Sequence, residues 1–277
     1  MTGEVRLPNK TRILMSGTMK WAFVGDLQLP YEDKRAVALW FKIMKWWKPE
    51  AIDIVGDIDD QLEYSSFSDG TTDEFFAQLK KQEDSSPLAF IKKNADGAKR
   101  FYEAVRKQHP NADIHASLGN HDIRIFKYID KKSPDFNDSV TPNTLWGLDD
   151  QGISWRQYSD KPFERHGGIY VHHGVTVTTT GLAVRSNIEE YDVSLVRGHD
   201  HRGGVVYKSY PLSGRVLQGM GCGHMCDPDA YGLQYTVNPS WELGFGIAHV
   251  VNGHAHLQFI PITPEYTCVL DGKVFQG

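Results

Sequence analysis

Residues 51–60 read Ala-Ile-Asp-Ile-Val-Gly-Asp-Ile-Asp-Asp. Ala51–Gly56 has the composition of a buried strand, and it ends in a glycine followed by Asp57, Asp59 and Asp60. The same design recurs on both sides. Lys20–Gly25 (KWAFVG) runs into Asp26-Leu27-Gln28, and Ile114–Leu118 runs into Gly119-Asn120-His121-Asp122. Gly168–His172 leads to His173-Gly174, and Val193–Arg197 leads to Gly198-His199-Asp200-His201. In open α/β sheets ligands bind outside the carboxyl ends of strands, so five polar tips of this kind can converge on one site.

Between the first three strands the apolar spacing is helical. Ala36, Val37, Trp40, Ile43, Met44 and Trp47 mark a helix over Asp33–Trp47 that Pro49 stops. Leu62–Thr72 reads as a loop, Asp73–Lys81 and Pro87–Lys107 as helices, and His109-Pro110-Asn111 as a break. Alternating strands and helices predict a sheet with right-handed crossovers. The second half is mostly strand: Val205–Tyr207, Val216–Gln218, Gly244–Val251, His256–Ile262 and Cys268–Leu270, with a hairpin at Asn252-Gly253. With no linker between the halves, the expectation is an N-terminal extension (1–19) and a single α/β domain of two packed sheets (20–277).

Composition narrows the function classes. The 277 residues are 40% apolar and 23% charged, which suits a packed globular chain. A net charge of -5 argues against a nucleic-acid coat or a polybasic membrane binder. Three cysteines make a disulfide framework an unsuitable reading and favour a reducing cytoplasm. The stretch His166–Val184, which lacks Asp, Glu, Lys and Arg, carries three His and four Thr and is a poor membrane span.

Asp, Asn and His side chains offer hard oxygens and imidazole nitrogens suited to Mn, Fe, Zn or Mg, and no cysteine joins these tips. Two divalent metals need a bridging carboxylate, and Asp57 is the natural one. The ordered stretches Asp26 to Gln28, Gly56 to Asp60, Gly119 to Asp122, His173-Gly174 and Gly198 to His201 resemble the calcineurin-like metallophosphoesterases across residues 20–260. The resemblance implies a four-layer α/β/β/α sandwich with two mixed sheets. It implies two divalent metals, manganese first, with iron, zinc, magnesium and nickel as alternatives. One would be held by Asp26, Asp57 and His201, and the other by Asp57, Asn120, His173 and His199. His121 would protonate the leaving oxygen and Asp122 would orient it. Gln28 stands where the family has histidine and would offer a neutral amide oxygen at the first metal. This variant and the compact size also resemble phosphoesterases encoded by bacteriophages, which implies a host cytoplasm.

Other features receive structural readings first. Adjacent on one strand, His172 and His173 face opposite sides, and His173 is the expected ligand. Gly253-His254-Ala255-His256 repeats the G-H-x-H pattern but sits in a hairpin. Cys222 to Cys226 reads as a loop packed beside the site, with His224 a candidate substrate contact. Arg124 and Arg202 flank the motifs as candidate phosphate binders. Trp46-Trp47 and Phe75-Phe76 read as core. Gln61 replaces the arginine that follows this motif in protein phosphatases. The expected activity is hydrolysis of a small phosphodiester such as a cyclic nucleotide. Nucleic acid ranks lower as a substrate, as do phosphomonoesters and phosphoproteins. A non-catalytic scaffold is the rival from another class.

Overall fold

The computed structural model describes residues 18–64, 87–159, 161–178, 182–230, 233 and 240–277, with backbone alone for 87–92. Of the expected N-terminal extension (1–19), Thr18 and Met19 belong instead to the first strand, where they pair with Val251 and Val250, and the rest lies outside these residues, as do the expected helix over 73–81, Phe75-Phe76 and most of the expected loop over 62–72.

The first strand, β1 (Thr18–Val24), lies beside β2 (Ala51–Ile54), which lies beside β3 (Asp113–Ser117) and then β4 (Ser154–Arg156), all parallel. On the other flank β10 (Gly244–Val251) pairs antiparallel with β1, and β11 (His254–Pro261) with β10. A second mixed sheet orders β5 (Phe163–Glu164), β6 (Ile169–Val171), β7 (Ser194–Arg197), β9 (Arg215–Cys222) and β8 (Gly203–Tyr210). β6, β7 and β9 are parallel, and β5 and β8 antiparallel to their neighbours.

The alternation of β1 assigns its two faces. Trp21 and Phe23 point inward and join Val55, Ala248 and Leu257 against Ile169, Val171, Val196 and Met220 of the second sheet. Ala22 and Val24 point outward with Ile52, Ile54, Ile114 and Ala116. Onto that outer face pack α1 (Lys34–Trp47), through Ala36, Leu39, Trp40, Ile43, Met44 and Trp47, and α2 (Pro87–Gln108), through Ala98, Tyr102 and Val105. Asp33 caps α1 by accepting from the backbone N–H of Arg35 and Ala36 at 3.0 Å, and Lys48 ends it in a left-handed conformation before Pro49. The outer face of the second sheet is covered by α5 (Val184–Glu190), whose Val184 and Ile188 meet Leu195 and Val206. The result is a four-layer α/β/β/α sandwich.

Three short elements escape sequence reading: α5, α3 (Arg124–Lys132) and α4 (Pro142–Trp146). So do β4, β5 and β13 (Lys273–Gln276), the partner of β12 (Thr267–Leu270). This hairpin lies on α1, where Trp47 Nε1 donates to Asp271 Oδ2 at 2.9 Å. Trp47 is buried as expected, but Trp46 is 42% exposed, its ring 5.1 Å from that of Phe275 in the hairpin. Asn252 (φ 53°) and Gly253 (φ 79°) form the tight turn of the β10–β11 hairpin.

Candidate metal centre

The carboxyl ends of β1, β2, β3, β6 and β7 meet at one edge of the sandwich. The loops leaving them are wound unusually. Asp26, Gln28, Asp57, Gln61, His199 and His201 all have φ between 49° and 75°. Left-handed backbone in non-glycine residues costs about 1–3 kcal/mol each and persists where the surroundings over-determine it. Here the loops are laced together: Asp26 N–H donates to Gly56 O, and Gln28 N–H to Asp57 O, both at 2.9 Å. The motif glycines follow from close approach. A Cβ on Gly119 would lie 2.0 Å from Asp57 Oδ1, and one on Gly198 2.4 Å from Asp26 Oδ2.

His173 is set by its other ring nitrogen. Nδ1–H donates to Val55 O at 2.7 Å, which leaves Nε2 facing Asp57 Oδ2 and Asn120 Oδ1, each at 3.1 Å. A carbonyl holding the far nitrogen is the usual way an imidazole ligand is oriented. Donor atoms of Asp57, His173 and His199 all lie within 4.8 Å of one another. Burial opposes ionisation of Asp57, yet His173, His121 and His199 outweigh it and hold its carboxyl well below the usual range. Against burial, Asp57 lifts His173 to about 9. Burial and the neighbouring His173 lower His199 to about 3.

At the other end of the row, Asp26 accepts His199 N–H at 3.1 Å and lies 3.3 Å from His201 Nε2. Gln28 is 1% exposed; its Nε2 is 3.3 Å from His201 Nε2, and its Oε1 is buried without a hydrogen-bond partner. Half a turn of the amide exchanges oxygen for nitrogen at this corner. An orphaned buried oxygen beside a carboxylate and an imidazole is a donor set that fits a divalent cation.

His121 lies beside this row. Its backbone N–H donates to Asp57 Oδ1 at 2.8 Å, and its Nε2 is 3.8 Å from Asp57 Oδ2. The expectation that Asp122 orients this ring is corrected. Asp122 Oδ2 accepts the backbone N–H of Asp57 and Gly119 at 2.8 Å, and Oδ1 accepts those of Ile58 and Asp59 at 3.0 and 2.9 Å. Its carboxylate thus ties the β2 loop to the β3 loop. Asp60 Oδ1 instead accepts from His121 Nδ1. Burial lowers the basicity of His121, but Asp57 and Asp60 together raise it above the ordinary histidine value.

Arg124 is committed to this assembly. Nη1 donates to Asp60 O at 2.7 Å, and Nη2 faces His121 Nε2 at 3.2 Å. Gln61 has a structural part: its Oε1 accepts Ile125 N–H at 2.9 Å, satisfying the first turn of α3. Arg202 is half-buried just before β8, its N–H donating to Asp200 Oδ1 at 3.3 Å.

His224 is corrected as a substrate contact. It is 3% exposed, its ring stacks 5.6 Å behind His201, and its Nδ1 faces Cys226 O at 3.0 Å. The Cys222–Cys226 loop packs beside the site, with Met225 N–H donating to Asp26 O at 3.0 Å. His172 lies just past β6, its ring edge-on to Tyr191 at 5.9 Å. The exposed His254 and His256 sit at the hairpin end that pairs with Thr18, the opposite end of β1 from Asp26.

Three residues give no sequence signal. Arg197 is fully buried, bonding Asn187 Oδ1 at 2.7 Å, Gly198 O at 3.1 Å and Thr176 O. It thereby braces the loops that carry His173 and His199. Tyr158 places its ring 6.1 Å from that of His173, and Trp241 places its ring 4.1 Å from that of His201. Both rings are half-buried.

No family model matches this chain. It is 24% identical over 264 residues to the gene 54 protein of Mycobacterium phage D29, spanning 91% of this chain and 97% of that one. The gene 54 protein of Mycobacterium phage L5 is 23% identical over the same shares. Among solved structures, vacuolar protein sorting 29 from Chaetomium thermophilum superposes with a TM-score of 0.49 at 10% identity, over 93% of this chain and 98% of that one. The Cryptosporidium parvum counterpart gives 0.46 at 14%, over 93% and 94%. YfcE, a phosphoesterase from E. coli, gives 0.38 at 12%, over 87% and 98%.

Proposed function

We propose that this chain is a calcineurin-like, divalent-metal-dependent phosphoesterase acting on phosphodiesters, small ones such as cyclic nucleotides among them. The observation that carries the reading is the meeting of Asp57, His173 and His199 donor atoms within 4.8 Å, with His121 Nε2 3.8 Å from the same Asp57 carboxylate. Asp57 would bridge two metals, Asp26, Gln28 and His201 completing one site and Asn120, His173 and His199 the other. When bound, such a pair supplies charge to phosphoryl oxygens and a nucleophile near neutral pH. The chain's own residues do the rest. Asp57 and Asp60 favour the charged form of His121, the form that can give a proton to a departing alkoxide. Asp60 holds Nδ1 so that Nε2 faces the reacting side, and Arg124 accompanies it. Asp122 keeps the two acidic loops in register.

Manganese suits the oxygen-rich first site best, since Gln28 contributes no nitrogen. The likeness to mycobacteriophage proteins supports a phage origin and a host cytoplasm. Among the described residues no helix is long and apolar enough to cross a membrane. Metal analysis of the purified protein, together with a panel of mono- and diesters, tests the reading. Metal-dependent hydrolysis of bis(p-nitrophenyl) phosphate is expected. Full metal content with no turnover of any ester would favour a scaffold.

A further inference from the structure

Helix α3 begins two residues after Asp122 and, like α1 and α2, is net basic, but it alone of the three starts within the β3 loop of the metal centre. Arg124–Lys132 holds four basic residues and one acidic residue, within a protein of net charge -5. At 3.6 residues per turn, Arg124, Lys127, Tyr128 and Lys131 fall within about 100° of arc, along about 10 Å of helix. Lys127, Tyr128 and Lys131 are exposed. This basic face is tied to the metal centre twice. Arg124 reaches His121 Nε2 at 3.2 Å, and Lys127 Nζ lies 5.8 Å from the ring of Tyr158, which borders His173. Trp241 stands at the opposite end of the ligand row, against His201.

A cationic track leaving a phosphodiester-cleaving site, with an aromatic ring at each end of that site, is the arrangement that grips single strands. Cations follow the backbone and rings stack the bases, without sequence preference. We propose that the substrate is single-stranded nucleic acid. Its scissile phosphodiester would lie over the metal centre, the neighbouring phosphates along α3, and the flanking bases on Tyr158 and Trp241. This inference rests on the phosphodiesterase reading and names its substrate. A duplex presents no unstacked bases to these rings and binds more weakly.

The test uses the full-length, metal-loaded protein and labelled 12-nucleotide single strands of DNA and RNA, a 12-bp DNA duplex, 3′,5′-cyclic AMP and bis(p-nitrophenyl) phosphate. Binding is read by anisotropy on the His121→Ala protein, and KM and kcat on the wild type. Single strands are expected to bind more tightly than duplex. Lys127→Ala/Lys131→Ala in the His121→Ala background is expected to reduce the slope of log affinity against log salt by about 1.4, about 0.7 for each phosphate no longer neutralised. In otherwise wild-type protein this double substitution raises KM for the 12-mers about tenfold more than for bis(p-nitrophenyl) phosphate. Lys45→Ala, on α1, serves as the remote control. Trp241→Ala and Tyr158→Ala should each weaken strand binding about 5–100-fold. The DNA and RNA arms decide which strand is preferred. An unchanged salt slope, or turnover of the small diesters with no strand binding, overturns this inference and leaves the phosphodiesterase reading standing. Salt-dependent strand binding with no ester hydrolysed overturns that reading instead.

Discussion

Asp60 and His121, 61 residues apart, are joined through Oδ1 and Nδ1, while Asp122, next to His121 in the chain, spends its carboxylate on four backbone N–H groups. The two acids therefore have separable roles. Asp60→Asn should slow diesters with poor leaving groups about 10–100-fold and retain metal, in the direction of His121→Ala, for which a loss of about 10²–10⁴ is expected. Asp122→Asn should instead lower thermal stability by about 2–4 kcal/mol, since hydrogen bonds to a charged acceptor contribute about 1.5–3 kcal/mol each. Melting curves and leaving-group series on the two variants decide this. Equal losses on activated and unactivated esters in Asp60→Asn would remove Asp60 from the proton path.

Asp57 is the residue on which both metal sites depend. Asp57→Asn removes the bridging charge, and metal content by mass spectrometry should fall from two ions towards none. A variant that still carries two ions per chain would contradict the bridge.

The two G-H-x-H copies should behave oppositely. His199→Ala, beside Asp57 and His173, is expected to lose metal and turnover. His254→Ala, exposed on a hairpin at the far end of β1, is expected to change neither by more than about twofold, as is usual for exposed positions. The reverse ranking in side-by-side assays would move the ligand set to the hairpin.

Metal uptake should release a proton. In the metal-free protein Asp57 lifts His173 to about 9, and His173 must be neutral to ligate. Apparent metal affinity should therefore rise about tenfold per pH unit up to about 9 and then level off. Stability runs the other way. Because the folded value lies above the unfolded value of 6.5, the stabilisation from this pair is fully present below pH 6.5 and lost as pH rises through about 9. Calorimetry at pH 7.5 in buffers of differing ionisation enthalpy reads the proton directly. Release near zero would sink the linkage.

Gln28 sets the balance between the sites. With only an amide oxygen to offer, the Asp26–Gln28–His201 site should bind metal more weakly than its neighbour and prefer manganese to zinc. Gln28→His should tighten it and shift the preference towards nitrogen-loving metals. Titration of stripped wild type and variant should give distinct isotherms, and superimposable ones would mean that Gln28 is no ligand.

Much of this protein is legible in the order of its residues, because strand and helix periodicities are set by neighbours two to four positions apart. Ala51–Gly56, Asp33–Trp47 and the Asn252-Gly253 turn declare themselves in that way. So do the glycines before Asp57, Asn120 and His199, where short polar tips imply crowded loops. Contacts between distant segments are not encoded locally. Whether Asp60 or Asp122 meets His121 is decided by how the β2 and β3 loops pack on each other, which sets one carboxylate at the ring and the other against amides. The brace formed by Arg197, the retreat of His224 behind His201, and the arrival of Tyr158 and Trp241 at the ends of the ligand row arise only once two sheets stack. The short helix α3 carries too few residues for periodicity to announce it, and its basic face gains meaning only from the metal centre beside which it starts.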